Sequence, residues 1–251
     1  MAGELPTIPA AERHLHFQVV AALADGRARA AESFLRWIDA EGDMVPTMAW
    51  LPEATASGVL TGYSIEAQPA WTACADHFGD LTISLNTSGQ DLLDDAWTAA
   101  TIEAAATTSA QLALEIAHIQ FDARIANEVA PVWNTPTIPD LDDRLATLRR
   151  AGLQIWLDDY GDTFRDEAIF EHPDIDLIKL DRTFLSLPVD ELAELAYRTR
   201  DAGKAIIIEG IETEQQRRHA FDAGIELGQG FLFGWPMPID EFGTSIGRTS
   251  G

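Results

Sequence analysis

LQIWLDDY, residues 153–160, is an apolar run that stops in two adjacent carboxylates, Asp158 and Asp159. It reads as a core strand with acids at its end, and similar runs recur along the whole chain. Outward from it lie QLALEIAH (111–118) and LTISLN (81–86) on one side, and IDLIKLD (175–181), KAIIIEG (204–210) and LGQGFLF (227–233) on the other. HLHFQVVAAL (14–23) and ARAAESFLRW (28–37) come first, and Asp25-Gly26 between them is a hairpin turn signal. These make eight candidate strands. Helical periodicity follows over 66–78, 142–151, 188–202 and 212–224. The βαβα order predicts an α/β chain with a largely parallel sheet, and eight units point to a TIM-like (β/α)8 barrel. An open doubly wound sheet uses the same alternation, but no GxGxxG or GxxxxGK turn supports it. The proline-punctuated stretch 130–143 reads as a surface loop. The expected organisation is a tail over 1–13, one barrel domain over 14–245 and a short tail over 246–251.

Composition narrows the function. The 251 residues carry 41 acidic against 17 basic side chains, a formal net charge of −24. Such a field repels DNA, RNA and anionic lipid, so neither a nucleic-acid polymer nor a membrane is an expected partner. Cys74 is the only cysteine, which excludes an internal disulfide and a Cys-rich zinc site and fits a reducing cytoplasm. No segment approaches the ~18 uninterrupted apolar residues of a membrane span, and the first dozen residues lack the basic start and apolar run of a signal peptide.

Polar residues fall at the strand ends: Glu32, Asn86, Glu115, Asp158 with Asp159, Lys179, Glu209 and Gln229. In a parallel barrel those ends open on one face, where active sites of this architecture are built. Five carboxylates at one rim repel each other unless cations neutralise them. Oxygen ligands without cysteine or a histidine cluster select hard ions, Mg²⁺, Mn²⁺ or Ca²⁺, over zinc. Adjacent aspartates on a strand point to different sides, so the pair could serve two ions, as two-metal phosphodiester hydrolysis requires. Taken singly, each position has a plainer explanation: Asp158-Asp159 as a turn and helix cap, Glu32 and Arg36 as a surface ion pair, Asn86 as a cap for the next helix.

The motifs in order resemble the EAL domain family, which hydrolyses the bacterial second messenger cyclic di-GMP. Gln18 stands in the YQP-like first strand, and AESFLRW (31–37) in the EAL-LRW signature. SLNTS (84–88) matches NxS, LEIAH (114–118) matches ExTE, and LDDYGD (157–162) matches DDFGTG. LIKLDRTF (177–184), EGIETEQQ (209–216) and LGQGFLFGWPMP (227–238) match KIDRSF, EGVET and QGYLF-KP. The resemblance implies a barrel whose first strand runs antiparallel to the rest. It implies Glu32, Asn86, Glu115, Asp158, Asp159 and Glu209 as ligands of two Mg²⁺ or Mn²⁺ ions, with Ca²⁺ non-productive. Glu32, Asp159, Lys179 and Glu209 are then the catalytic set, Asp159 and Lys179 positioning the attacking water. Gln18, Phe34, Arg36, Asp181, Arg182 and Gln229 are the substrate-binding set, with Arg36 on a phosphate and Gln229 supporting the lysine or the ligand.

The expected function is metal-dependent hydrolysis of cyclic di-GMP to pGpG. Departures from the family pattern motivate an alternative, a catalytically impaired cyclic di-GMP receptor or a protein-interaction adaptor. Ser33 and Phe34 replace the signature's alanine and leucine, Thr163 replaces the second glycine of the loop after Asp159, and His118 replaces the second acid of ExTE. In the family that loop links the metal site to dimerisation, so a homodimer is an expected partner alongside an unidentified protein. Trp37, Trp156 and Trp235 are expected to pack in or on the barrel rather than to stack bases.

Overall fold

The structure, a computed structural model, describes residues 8–9, 12–117, 141–161 and 167–248. The expectations for His118, for Thr163 within the loop after Gly161, and for 130–140 lie outside the described residues. Ten strands form one sheet: β1 (Arg13–Ala22), β2 (Ala28–Ile38), β3 (Met44–Val45), β4 (Thr82–Thr87), β5 (Leu112–Ala117), β6 (Gln154–Tyr160), β7 (Leu177–Leu180), β8 (Ala205–Ile208), β9 (Leu227–Gln229) and β10 (Met237–Pro238). The order β1-β9-β8-β7-β6-β5-β4-β2 returns to β1 through the β1–β2 pairing, so eight strands close a barrel and the open-sheet alternative is excluded. β1 is antiparallel to both neighbours, and the remaining pairs around the ring are parallel. The hairpin joining β1 to β2 turns at Gly26, φ 73°, where the Arg27 amide donates to Asp25 Oδ1 at 3.0 Å.

Period-2 alternation divides the apolar residues into two layers. One strand face packs inside the barrel, where Val20, Ala30, Ala113, Trp156, Leu177 and Ile207 form a buried cluster. Ala30 and Ala113 are small, which leaves room for the Trp156 ring. The other face, including Ile83, Leu114, Ile155, Ile178 and Ile206, packs under the helices. Central strands buried on both faces therefore read as unbroken apolar runs.

The helices Leu141–Arg150, Val189–Asp201 and Glu214–Asp222 lie within a residue or two of the expected spans. Elements not foreseen include the short helices Leu51–Ser57 and Gly89–Leu93, the helix Asp95–Thr107, capped by the Asp94 side chain, the terminal helix Ile239–Arg248, and the two-residue strands β3 and β10. The helix expected over 66–78 already begins at Val59. β9 is shorter than the run LGQGFLF. Gly230 adopts φ 155°, and a Cβ there would meet the Ile211 carbonyl oxygen at 2.2 Å, so the chain leaves the strand to pass over Ile211. No helix among the described residues is long and apolar enough to cross a membrane.

Candidate active site

On the inner face, the residue two positions beyond each floor residue, toward the C-terminal rim, is polar. Ala30 leads to Glu32, Ser84 to Asn86, Ala113 to Glu115, Trp156 to Asp158, Leu177 to Lys179, Ile207 to Glu209 and Leu227 to Gln229. On antiparallel β1 the step runs backward, from Val20 to Gln18. The barrel thus stacks a polar layer on a largely apolar one, seven of its eight strands contributing an apolar side chain to the floor and β4 contributing Ser84.

Lys179 is the hub of that layer. It is 1% exposed, and its Nζ lies 2.9 Å from Glu32, 2.5 Å from Glu115, 2.8 Å from Asp158 and 2.9 Å from Glu209. Glu32 also accepts from Asn86 Nδ2 at 2.7 Å and from Gln229 Nε2 at 2.9 Å. Glu115 accepts from the Ser84 hydroxyl, and Gln18, itself bonded to the Gly234 carbonyl, accepts from Gln229. Burial opposes the Lys179 charge, but Asp158, Glu115, Glu209 and Glu32 outweigh it and hold the ammonium well above its ordinary value. Burial opposes charge on Glu32 as well, yet Lys179, Asn86 and Gln229 hold that carboxyl below the usual range. Burial and the neighbouring Glu32 raise Glu115 well above it. Burial pushes Glu209 up to about 8 against the pull of Lys179, with Asp158 and Glu32 adding to the rise.

The adjacent aspartates correct an expectation. A regular strand sends neighbours to opposite faces, but β6 carries a bulge between Leu157 and Tyr160, and Asp159 takes φ 54°. Both carboxylates are thereby brought to the same place, where ligand atoms of Asp158, Asp159 and Glu209 lie within 4.8 Å of one another. Gly161 follows at φ 100°; a Cβ there would overlap the Phe184 ring, so only glycine lets the bulge close against it.

These groups line a cavity of about 380 Å³. Gln18, Glu32, Phe34, Asn86, Asp158, Asp159, Lys179, Asp181, Arg182, Glu209 and Gln229 all face it. Glu115 does not; it lies beneath, enclosed by Lys179 and Ser84. Arg36 does not reach the lining either. It shares the β2 face with Glu32 and Phe34, its guanidinium 4.7 Å from the Phe34 ring centre. Asp181 accepts from the Thr183 amide at 2.8 Å, capping the turn that presents Arg182. Gln229 bonds Glu32 and Gln18, not Lys179, and its buried amide oxygen has no hydrogen-bond partner among the described residues.

The plainer explanations of Asn86 and Glu32 do not hold. Ser88, not Asn86, caps the helix after β4, and Glu32 is 4% exposed within the lysine network. The reading from sequence missed Glu212 and Phe231 on the lining, and Ser84 under Glu115. Trp156 fills the barrel as expected, but Trp235 does not pack inside: it is 62% exposed and stacks on Phe231.

An all-oxygen cluster of this kind suits hard divalent cations. A further sign of fit is Asp158 Oδ1, a buried carboxylate oxygen with no hydrogen-bond partner among the described residues although Lys179 Nζ lies 2.8 Å away, so its lone pairs are not filled by hydrogen bonds.

The family model of the EAL domain matches residues 6–236. The chain belongs to the EAL domain family. This EAL domain is 28% identical over 240 residues to cyclic di-GMP phosphodiesterase NbdA of Pseudomonas aeruginosa, covering 90% of this chain and 29% of that protein. Among solved structures it resembles the PaMucR phosphodiesterase in complex with c-di-GMP, with a TM-score of 0.76, 21% identity, and 92% and 94% of the two chains covered. It also resembles BlrP1 of Klebsiella pneumoniae in complex with manganese and cyclic di-GMP, with a TM-score of 0.72, 20% identity, and 91% and 57% covered. The EAL domain spans less than half the length of the curated relatives NbdA and PdeB of Escherichia coli.

Proposed function

We propose that this chain hydrolyses cyclic di-GMP to pGpG with the help of two divalent ions, Mg²⁺ or Mn²⁺. The observation that carries this reading is the convergence of Glu32, Asn86, Asp158, Asp159 and Glu209 around one buried lysine at the barrel's C-terminal rim, in a chain of the EAL family. Those five residues, with Glu115 beneath, would hold the ions, which supply activation of water and neutralisation of phosphate charge. The residues themselves do the rest. Asp159, placed by the bulge, faces the cavity beside Asp158 and accepts a proton from the attacking water. Lys179 stabilises the layer of acids and brings positive charge to the phosphate. Gln229 and Asn86 fix the Glu32 carboxylate by hydrogen bonds to its two oxygens. Arg182 on the lining and Arg36 above Phe34 offer the cations that an anionic dinucleotide needs at the mouth of so acidic a protein. A reducing cytoplasm suits the single buried cysteine.

The test is incubation of the purified protein with cyclic di-GMP and Mg²⁺ or Mn²⁺, products separated by chromatography, with binding measured in Ca²⁺. The expected result is pGpG from the wild type and none from Asp159→Asn. Binding without product replaces this reading with the receptor, and neither binding nor product replaces it with the adaptor. Unchanged metal-dependent turnover in Glu115→Ala and Asp159→Ala overturns the site assignment.

A further inference from the structure

Phe231 and Trp235 stand out among the exposed aromatic residues because they are exposed together. Their ring centres lie 3.5 Å apart with planes inclined by 14°, while 45% and 62% of the two residues stay open to solvent. The segment carrying them is held on every side. Leu232 donates to the Ile211 carbonyl, Ile211 donates to Gln229, and Phe233 donates to Gly230. Gly230 is wedged against the Ile211 backbone. On the Trp235 side, Gln18 holds the Gly234 carbonyl at 2.9 Å, and Met237 and Pro238 pair with β1. A rigid backbone that presents two stacked rings to water is a preorganised apolar surface, and such a surface normally has a ligand.

Position identifies the ligand. Phe231 lines the acidic cavity, one of its faces covered by Trp235, which leaves the other for an occupant. The cavity, about 380 Å³, lies near the lower end of ligand pockets, which run from about 300 to 1,000 Å³. A cyclic dinucleotide carries two purines on one ring of phosphates. With its scissile phosphate among the carboxylates, the cavity does not enclose both bases, and one must leave across the rim. Arg182 is on the same lining and offers positive charge to the ligand's phosphates.

Resting on the cyclic di-GMP reading, we propose that Phe231 and Trp235 form a two-ring platform for one purine base of the ligand. Phe231 touches the base; Trp235 is a positioning residue that backs Phe231 and keeps its ring flat against the purine. Base-on-aromatic stacking is sequence-tolerant and strong enough to dominate the hold on an exposed base.

The test measures cyclic di-GMP affinity in Ca²⁺ by calorimetry, and KM and kcat in Mn²⁺, for wild type, Phe231→Ala, Trp235→Ala and Trp235→Phe. Phe231→Ala should weaken binding roughly 5- to 100-fold, and Trp235→Ala roughly 2- to 10-fold. The loss should fall on Kd and KM rather than kcat, Trp235→Phe should recover most of it, and the melting temperature and sedimentation coefficient should hold. Wild-type binding matched by both alanine variants overturns the platform while leaving the cyclic di-GMP reading intact. A loss confined to kcat, no recovery in Trp235→Phe, or a change of oligomeric state on losing Trp235 also overturns it. A wild type that binds no cyclic di-GMP removes the functional reading itself, and the platform with it.

Discussion

Asp159 occupies a conformation that most side chains avoid, φ 54°, inside a strand bulge at the site. Aspartate and asparagine tolerate this left-handed region better than other non-glycine residues, because their short polar side chains bond locally. Asp159→Asn should therefore keep the fold, with a melting temperature within about 2 °C of wild type, while turnover falls by at least about 100-fold. Asp159→Val should instead lose about 1–3 kcal/mol of stability by denaturant titration, because a β-branched residue is poorly suited to that backbone. The acids themselves were legible as a strand end, but not the bulge: alternation places neighbours on opposite faces, and nothing in Asp-Asp-Tyr-Gly announces a skipped register. Lys179 carries the second prediction. In the metal-free protein it is the shared cation of four carboxylates, so Lys179→Met leaves buried negative charge unpaired and should cost about 3–5 kcal/mol. That corresponds to a fall on the order of 10 °C in melting temperature in chelator. Added Mn²⁺ should restore much of it, because a divalent ion replaces the missing positive charge; no recovery would mean that the acids hold no ion.

At the scale of elements, the site depends on a floor. The polar layer stands two residues above Val20, Ala30, Ala113, Trp156, Leu177 and Ile207, and Trp156 is the bulkiest of these. Trp156→Ala should cost about 3–5 kcal/mol in urea unfolding, since the neighbouring alanines cannot fill the space. The functional consequence should exceed that of an equally destabilising change in the outer layer, such as Ile178→Ala, when both are assayed well below their melting temperatures. Equal activity losses would show that the floor merely stabilises and does not position the acids. Most strands were legible because burial on both faces makes them unbroken apolar runs, and the hairpin because Asp25-Gly26 marks its turn. The helix Asp95–Thr107 was not, since its Ala- and Thr-rich sequence shows no clear apolar stripe. β3 and β10 escaped for another reason: two residues make no pattern, and each exists only by pairing with the long ribbon of β1 and β2. That Trp235 would lie on the rim and not inside was not decided by sequence, which gives an aromatic residue's chemistry but not the backbone anchors that hold it outward.

For the molecule as a whole, the protonation of the acidic layer couples ion binding to pH. In the folded metal-free chain Glu209 titrates at about 8 rather than near its ordinary 4.5, and Glu115 is shifted in the same direction. Between those values the folded state holds protons that the unfolded state has released, so stability must fall as pH rises through that window. Glu32, shifted downward, contributes the opposite slope only below the ordinary carboxylate range. An ion binds deprotonated carboxylates, so its affinity should climb with pH across the same interval, by up to about tenfold per unit for one proton released. The melting temperature in chelator should therefore drop from pH 6 to pH 8, while the increment gained on adding Mn²⁺ grows. Net charge supplies a second, unspecific contribution that must be separated. With a formal charge of −24 the chain repels itself, and any salt that screens this field raises stability. NaCl at matched ionic strength should reproduce that part with little pH dependence between 6 and 8, whereas the Mn²⁺ increment beyond it should carry the pH slope and be lost in Asp158→Ala. If NaCl matches Mn²⁺ at both pH values, the divalent ion acts only as a screen and the acidic layer is no binding site.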